Sequence, residues 1–284
     1  MNKRSFIKNV GVMSAALSGG FMRLQQAVAA VEHVPAAALA ADEEFWQKVR
    51  DDYRIKPDYI NLENGYYCFL PEQTLEDLID HMRAVNYEGS YYMRTVQFEN
   101  KKKVADAVAA IVGCSAEEVA ITRNTTESLD LVIGGIDWQA GDEAVMAEQD
   151  YGAMLNHFEL MERRYGIINK RVSVPNHPRD DNELVQLYAS AITDKTRLLM
   201  VSHMINITGQ VLPVRKIVDM AHERGVEVMV DGAHAYSHVP FQMSDLDCDY
   251  YGTSLHKWLS APLGSGMLYV KKEKIDQIWP LFAE

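Results

Sequence analysis

The residues with most chemistry to offer lie in one short stretch, Val228-Met229-Val230-Asp231-Gly232-Ala233-His234, and in a second one, Ser254-Leu255-His256-Lys257-Trp258-Leu259. The first is an apolar run that ends in a carboxylate. A carboxylate carried into an apolar interior needs a cation or hydrogen-bond donors, because desolvating an unpaired charge is costly. The second holds a lysine between apolar and aromatic neighbours. Such an amine is readily desolvated, loses its proton and becomes a nucleophile able to form a Schiff base. Next comes Pro262-Leu263-Gly264-Ser265-Gly266, a loop whose glycines permit a tight turn.

Other candidates surround this pair. Thr125 and Thr126 follow a strand-like run and precede the apolar residues Leu129 to Ile133, so they stand where a helix begins. Backbone N–H groups and hydroxyls at a helix N-terminus can hold a phosphate. The same residues also read as an ordinary threonine cap with Glu127 in the first turn. Asn206 lies in Asn206-Ile207-Thr208-Gly209, where it can reach a ligand or serve the turn at Gly209. His234 is either a ligand contact or a satisfied buried histidine, Tyr151 either a ring-stacking residue or core. Arg94 can pair with a substrate carboxylate, of its own or of a second subunit, or lie solvated.

These residues need a scaffold, and the chain alternates short β-branched runs with longer amphipathic stretches, an α/β pattern. Apolar spacing of three and four predicts helices over 71–87, 96–112, 126–133, 153–165, 181–192 and 214–224. Strands are predicted over 118–122, 143–147, 168–174, 197–202, 227–230, 250–253 and 266–270. Residues 198–201 and 228–230 are apolar on both faces, as in central strands covered by helices on either side. Open α/β sheets bind ligands outside the carboxyl ends of their strands, which singles out Ser202, Asp231 and Ser254 by position alone.

Composition narrows the function. With Lys+Arg 28 against Asp+Glu 40 the formal charge is -12, which repels nucleic acid and anionic lipid, and no basic patch offsets it. No nucleic-acid partner is expected. No apolar run approaches the roughly 20 residues of a membrane span, so no integral membrane segment is expected either. Cys68, Cys114 and Cys248 are far apart, which favours neither a disulfide framework nor a metal cluster.

The N-terminus reads as an address. Residues 1–29 carry Lys3, Arg4, Lys8 and Arg23 with no acid, then a weakly apolar stretch and the small residues Ala27-Val28-Ala29-Ala30. Lys3-Arg4-Ser5-Phe6-Ile7-Lys8 resembles a twin-arginine export signal with lysine in the first arginine position. An export translocase is therefore an expected partner, and the expected location is periplasmic or exported. Residues 30–41 read as a linker, and 42–284 as the folded domain with an N-terminal arm.

An amine that forms a Schiff base and a carboxylate that keeps a pyridine nitrogen protonated are the two requirements of pyridoxal phosphate chemistry. Asp231 with His234, Ser-x-His-Lys at 254–257 and the Gly264/Gly266 loop resemble the class V aminotransferase family of fold type I pyridoxal-phosphate enzymes. Asn61-Leu62-Glu63-Asn64-Gly65, the Thr122 to Glu127 turn, Tyr151-Gly152-Ala153 and Trp279-Pro280-Leu281-Phe282 look most like its isopenicillin N epimerase branch.

The resemblance implies a large domain with a mostly parallel central sheet and helices on both faces. It implies pyridoxal 5'-phosphate as cofactor, with Lys257 as Schiff-base lysine and shuttle for the substrate α-proton, and Asp231 as partner of the pyridinium. Thr125, Thr126, Ser254 and His256 would hold the phosphate, Tyr151 would stack on the ring, and Asn206 and His234 would reach its phenolate side. Asn64 and Arg94 would approach a small amino-acid substrate. A homodimer is also implied. Family members continue for about a further hundred residues as a small domain, so that domain is expected to be missing beyond Glu284. The expected activity is α-proton removal from an amino acid, of aminotransferase or epimerase type. The alternatives are a truncated, non-catalytic cofactor-binding relative and a cysteine desulfurase or lyase, for which none of the three cysteines matches the family's nucleophile.

Overall fold

The protein is described by a computed structural model over residues 29–31 and 33–281. The expected export signal lies outside these residues except for Ala29. In the segment read as a linker, a short helix α1 (Ala36–Ala40) buries Leu39, and the Trp46 indole N–H donates to the Leu39 carbonyl at 2.9 Å. Helix α2 (Glu43–Asp51) begins at Asp42, whose carboxylate accepts the Phe45 N–H at 3.0 Å. An extended arm then leads to α3 (Glu72–Glu88), α4 (Ser90–Thr95) and α5 (Gln97–Val112). Gly89 joins α3 to α4 at φ +55°, a conformation that favours glycine.

The rest of the chain alternates strand and helix: β1 (Val119–Thr122), α6 (Thr125–Gly135), β2 (Glu143–Ala147), α7 (Gly152–Tyr165), β3 (Ile168–Val172) and α8 (Asp181–Ala191). It continues through β4 (Thr196–Ser202), α9 (Val214–His222), β5 (Glu227–Asp231), α10 (Met243–Leu246), β6 (Tyr250–Ser254) and β7 (Gly266–Val270). The seven strands form one sheet in the order β1-β7-β6-β5-β4-β2-β3. From β6 to β3 every neighbour is parallel, whereas β7 runs antiparallel to both β6 and β1. The expected mostly parallel sheet is what the chain forms.

Both sheet faces are covered, which explains the continuous apolar runs. In β4, Leu198 and Met200 pack with Leu129, Ile133, Met154 and Phe158 of α6 and α7. Leu199 and Val201 point the other way, into a core with Val108 of α5, Leu184 and Tyr188 of α8 and Ile217 of α9. Strand side chains alternate between faces, so a strand with a helix layer on each side needs apolar residues at every position.

The sheet order also locates a crevice. From β2 the chain adds β3 on one side, then returns to place β4 on the other, so the winding reverses between β2 and β4. Ligands of open α/β sheets bind outside the carboxyl ends at such a reversal. Strands β5 and β6 each run one residue further than predicted, so Asp231 and Ser254 belong to the ladder itself. Their positions are fixed by the sheet.

Gly266 fixes where β7 meets the start of α6. A Cβ there would stand 2.6 Å from the Asn124 nitrogen and 2.8 Å from its Cα, both backbone atoms that cannot rotate away. Gly266→Ala is expected to destabilise the fold by about 1–3 kcal/mol, the usual cost of overpacking. A urea unfolding midpoint equal to that of the wild type would refute this.

Candidate active site

Asp231 ends β5 between Ser202 of β4 and Gly252 of β6, its register neighbours. It is 6% exposed. Its Oδ1 accepts the Ala233 N–H at 3.0 Å, and its other oxygen receives no hydrogen bond from the described residues. Burial raises this carboxyl above the usual range, opposed by the Ala233 N–H and the charge of Lys257.

Lys257 lies in the loop between β6 and β7. Burial depresses its amine, while Asp231 and then Glu63 pull in the opposite direction. A half-buried lysine with a lowered pKa offers a free amine nearer to neutral pH than a solvated one. His234 is pushed down to about 4 by burial, with Lys257 adding to the effect, so its imidazole is neutral at pH 7.

The N-terminal arm crosses this loop and is tied to it. The Cys68 N–H donates to the His256 carbonyl at 3.1 Å, and the Ser260 hydroxyl donates to Cys68 Sγ at 2.9 Å and to the Phe69 carbonyl at 3.2 Å. Gly65 lies against His234. A Cβ at Gly65 would stand 2.6 Å from His234 Cε1, so only glycine allows this approach without displacing the ring.

At the other pole stands the N-terminus of α6. The cap is Asn124, whose side-chain oxygen accepts the Glu127 N–H at 2.8 Å, and not a threonine as one sequence reading held. Thr125 and Thr126 are thereby left as the first helical residues, where N–H groups lack intrahelical partners. The Thr125 N–H donates to Ser254 Oγ at 2.9 Å and the two hydroxyls are 2.7 Å apart. His256 shares this pole, with Nδ1 3.2 Å from the Ser265 carbonyl, and burial lowers its pKa.

A cavity of about 720 Å³ joins the two poles. Asp231, His234 and Lys257 line it, as do Thr125, Thr126, Ser254 and His256. Tyr151, 46% exposed at the start of α7, forms one wall, and Asn206, exposed in the loop after β4, reaches another. Two expected substrate contacts are placed differently. Asn64 is not among the lining residues although Glu63 and Gly65 are; its Oδ1 accepts from Asn61 Nδ2 at 2.7 Å within the turn. Arg94 is exposed on α4 and does not line the cavity either.

The sequence reading passed over Asp150, Glu63 and Arg123. Glu63 and Arg123 line the cavity, and Arg123 pairs with Glu127 at 3.0 Å. Asp150 lies beneath the wall, bound to Ser202. Asp150 lies three residues past the end of β2, where a carboxylate reads as turn chemistry, unlike Asp231, which closes its own strand.

The family model for aminotransferase class-V matches residues 70–283. The isopenicillin N epimerase of Streptomyces clavuligerus is 27% identical over 235 residues, 83% of this chain and 59% of that protein. A cysteine desulfurase of Haloferax volcanii is 32% identical over 229 residues, 78% of this chain and 53% of its own. Among solved structures, a mutant of C-DES with glycine covalently linked to its pyridoxal phosphate cofactor superposes with a TM-score of 0.75 at 26% identity. That match covers 82% of this chain and 62% of C-DES. The chain thus spans less than two thirds of the length of each of these relatives.

Proposed function

Because the chain belongs to the aminotransferase class-V family, a family dependent on pyridoxal phosphate, we propose that it holds this cofactor in the cavity and removes the α-proton of an amino acid there, in a transamination or an epimerisation. The observation that carries the reading is the pairing of Lys257 and Asp231 across one cavity whose far pole is the hydroxyl-lined N-terminus of α6. The donor set fits the group. Asp231 has an oxygen without a donor among the described residues, suited to a ring N–H; Lys257 offers a desolvated amine; the Thr126 N–H and hydroxyl and the one hydroxyl hydrogen left free in the Thr125–Ser254 pair can face a dianion.

When bound, pyridoxal phosphate supplies an electron-poor ring that stabilises negative charge at the substrate α-carbon. The chain's own residues do the rest. Lys257 Nζ would hold the cofactor, and as a free amine it would be the base placed to take the α-proton. Asp231 would keep a negative charge for the ring nitrogen, and the start of α6 would hold the phosphate. The neutral His234 imidazole has one N–H to donate at the wall it shares with Lys257. Tyr151 lines the cavity and would offer its ring for stacking.

The cysteines of this chain stand apart from the cavity, and none of the three lines it. Burial raises the Cys248 thiol and pushes Cys114 up to about 11, so neither is readily a thiolate. The exposed Leu75, Met82, Tyr87 and Tyr91 of α3 and α4 support assembly with a second copy as part of the same proposal.

The direct test is hydrogen exchange. Cofactor-loaded protein in D2O is expected to replace the α-hydrogen of at least one amino acid in a panel of both enantiomers, followed by proton NMR. Exchange with inversion indicates epimerisation, and exchange with amino transfer to a keto acid indicates transamination. A protein that takes up the cofactor and exchanges no α-hydrogen would overturn the catalytic reading and leave a cofactor-binding relative.

A further inference from the structure

The cavity holds one more acid that the chemistry above does not use. Glu63 comes from the N-terminal arm and lines the cavity together with its neighbours Gly65 and Tyr66. Its Oε1 accepts the Tyr66 N–H at 3.0 Å, which closes a turn of the arm and holds the carboxylate in place, while no hydrogen bond from the described residues reaches Oε2. The side chain is exposed, so a ligand meets it without rearrangement of the fold. A Cβ built on Gly65 would stand 2.9 Å from Glu63 Oε1 and 2.9 Å from His234 Nδ1, so carboxylate and imidazole close on one point. Further along, the arm is tied to the Lys257 loop by the Cys68 N–H on the His256 carbonyl. The Glu63 charge accordingly acts on both Lys257 and His234, raising each against burial.

The carboxylates, ammonium and guanidinium lining the cavity belong to Glu63, Asp231, Lys257 and Arg123. Asp231 and Lys257 are committed to the cofactor in the reading above. The Arg123 guanidinium is held by Glu127, with Nε at 3.1 Å and Nη2 at 3.0 Å from Oε1. That pair is neutral as a unit, and an acidic ligand would have to compete with Glu127 for it. What remains is one carboxylate with an open oxygen. Such a group attracts an ammonium or guanidinium and repels a second anion, so it selects by attraction and by exclusion at once. The formal charge of -12 on the whole chain draws cations in the same direction. The α-amine of a substrate is consumed at the Lys257 end, so a charged partner for Glu63 has to come from the side chain.

We propose that Glu63 is a specificity-determining residue and that the substrate is a basic amino acid, whose side-chain ammonium or guanidinium docks on the open Glu63 oxygen. Acidic amino acids are turned away by the same charge. The inference rests on the reading of the cavity as the place of α-proton removal, and its test separates the two.

Arginine and citrulline differ in charge and hardly in shape, and lysine and norleucine are matched in chain length. In cofactor-loaded wild type, α-hydrogen exchange is expected to favour the charged member of at least one pair by about five- to tenfold in kcat/KM, the size of one charge-assisted contact at a partly open site. Added salt should erode that preference. Glu63→Gln keeps the shape of the side chain and removes its charge, so the ratio should fall to about one, through KM. A second arm uses cofactor-free protein and a probe without a reactive amine. Nα-acetylarginine should protect Lys257 from acetic anhydride at lower concentration than Nα-acetylcitrulline in wild type, and at equal concentration in Glu63→Gln, with the acetylated peptide identified by mass spectrometry.

Equal rates within both pairs, a preference for glutamate over glutamine, or a preference for the charged members that survives Glu63→Gln would overturn the assignment. Wild type that exchanges no α-hydrogen would sink the proposed function instead, and the protection arm would then decide whether Glu63 receives a cation.

Discussion

Lys257→Ala is expected to lower α-hydrogen exchange by about a thousandfold or more, since it removes both the attachment point and the proton acceptor. Borohydride treatment of cofactor-loaded wild type should fix the cofactor to the peptide that contains Lys257, and the alanine variant should carry no label. The fold should survive. The Lys257 side chain makes no hydrogen bond with the described residues, and its lowered pKa shows that burial penalises its charge. Far-UV circular dichroism and melting of the cofactor-free variant should match or exceed wild type. A label on any other peptide, or exchange retained at near wild-type rates, would remove Lys257 from its role.

The second large effect concerns Asp231→Asn. A neutral amide has no charge with which to hold a ring nitrogen protonated, so exchange should fall by about a hundredfold to a thousandfold. Cofactor uptake should persist, because the helix end and Lys257 are untouched. Stability moves in the other direction. The Asp231 carboxyl is raised by burial in the folded chain, so the native state holds its proton to higher pH than the unfolded state does. Between the unfolded value of about 3.9 and the raised folded value, folding takes up a proton, and wild-type stability declines as pH rises. Without cofactor, Asp231→Asn lacks that decline and should melt at or above the wild-type temperature at neutral pH. Equal exchange rates, or a variant that melts lower throughout, would contradict the assignment.

Much of this architecture is legible in the sequence because the signals are local. The run ending at Asp231 is apolar at successive positions, which only a doubly covered strand requires, and a carboxylate closing such a run stands at a sheet's carboxyl edge. The same logic located Ser202 and Ser254. It was not applied to Asp150, which lies three residues past its strand and looks like turn chemistry until Ser202 is seen against it. Helix α4 escaped because six residues give less than two turns of periodicity. The pole that joins Thr125 to Ser254 connects residues 129 apart, a proximity that no window on the chain encodes. Its place in the reading came from resemblance, not from pattern. Arg94 lies exposed on α4, away from the cavity of its own chain. The close approach of Gly65 to His234 is likewise a contact between distant segments that a lone glycine does not announce.

The single reversed strand, β7, has a consequence for how the molecule comes into being. It pairs locally with β6 through the short connection that bears Lys257, a pairing with little loop-closure entropy to overcome. Its other neighbour is β1, the first strand made and separated from it by roughly 150 residues of chain, or about ten seconds or more of ribosomal elongation. During that interval β1 has no sheet partner. The polymer must therefore hold an orphaned strand in check while everything between is synthesised, and the gap closes when β7 slides between β6 and β1.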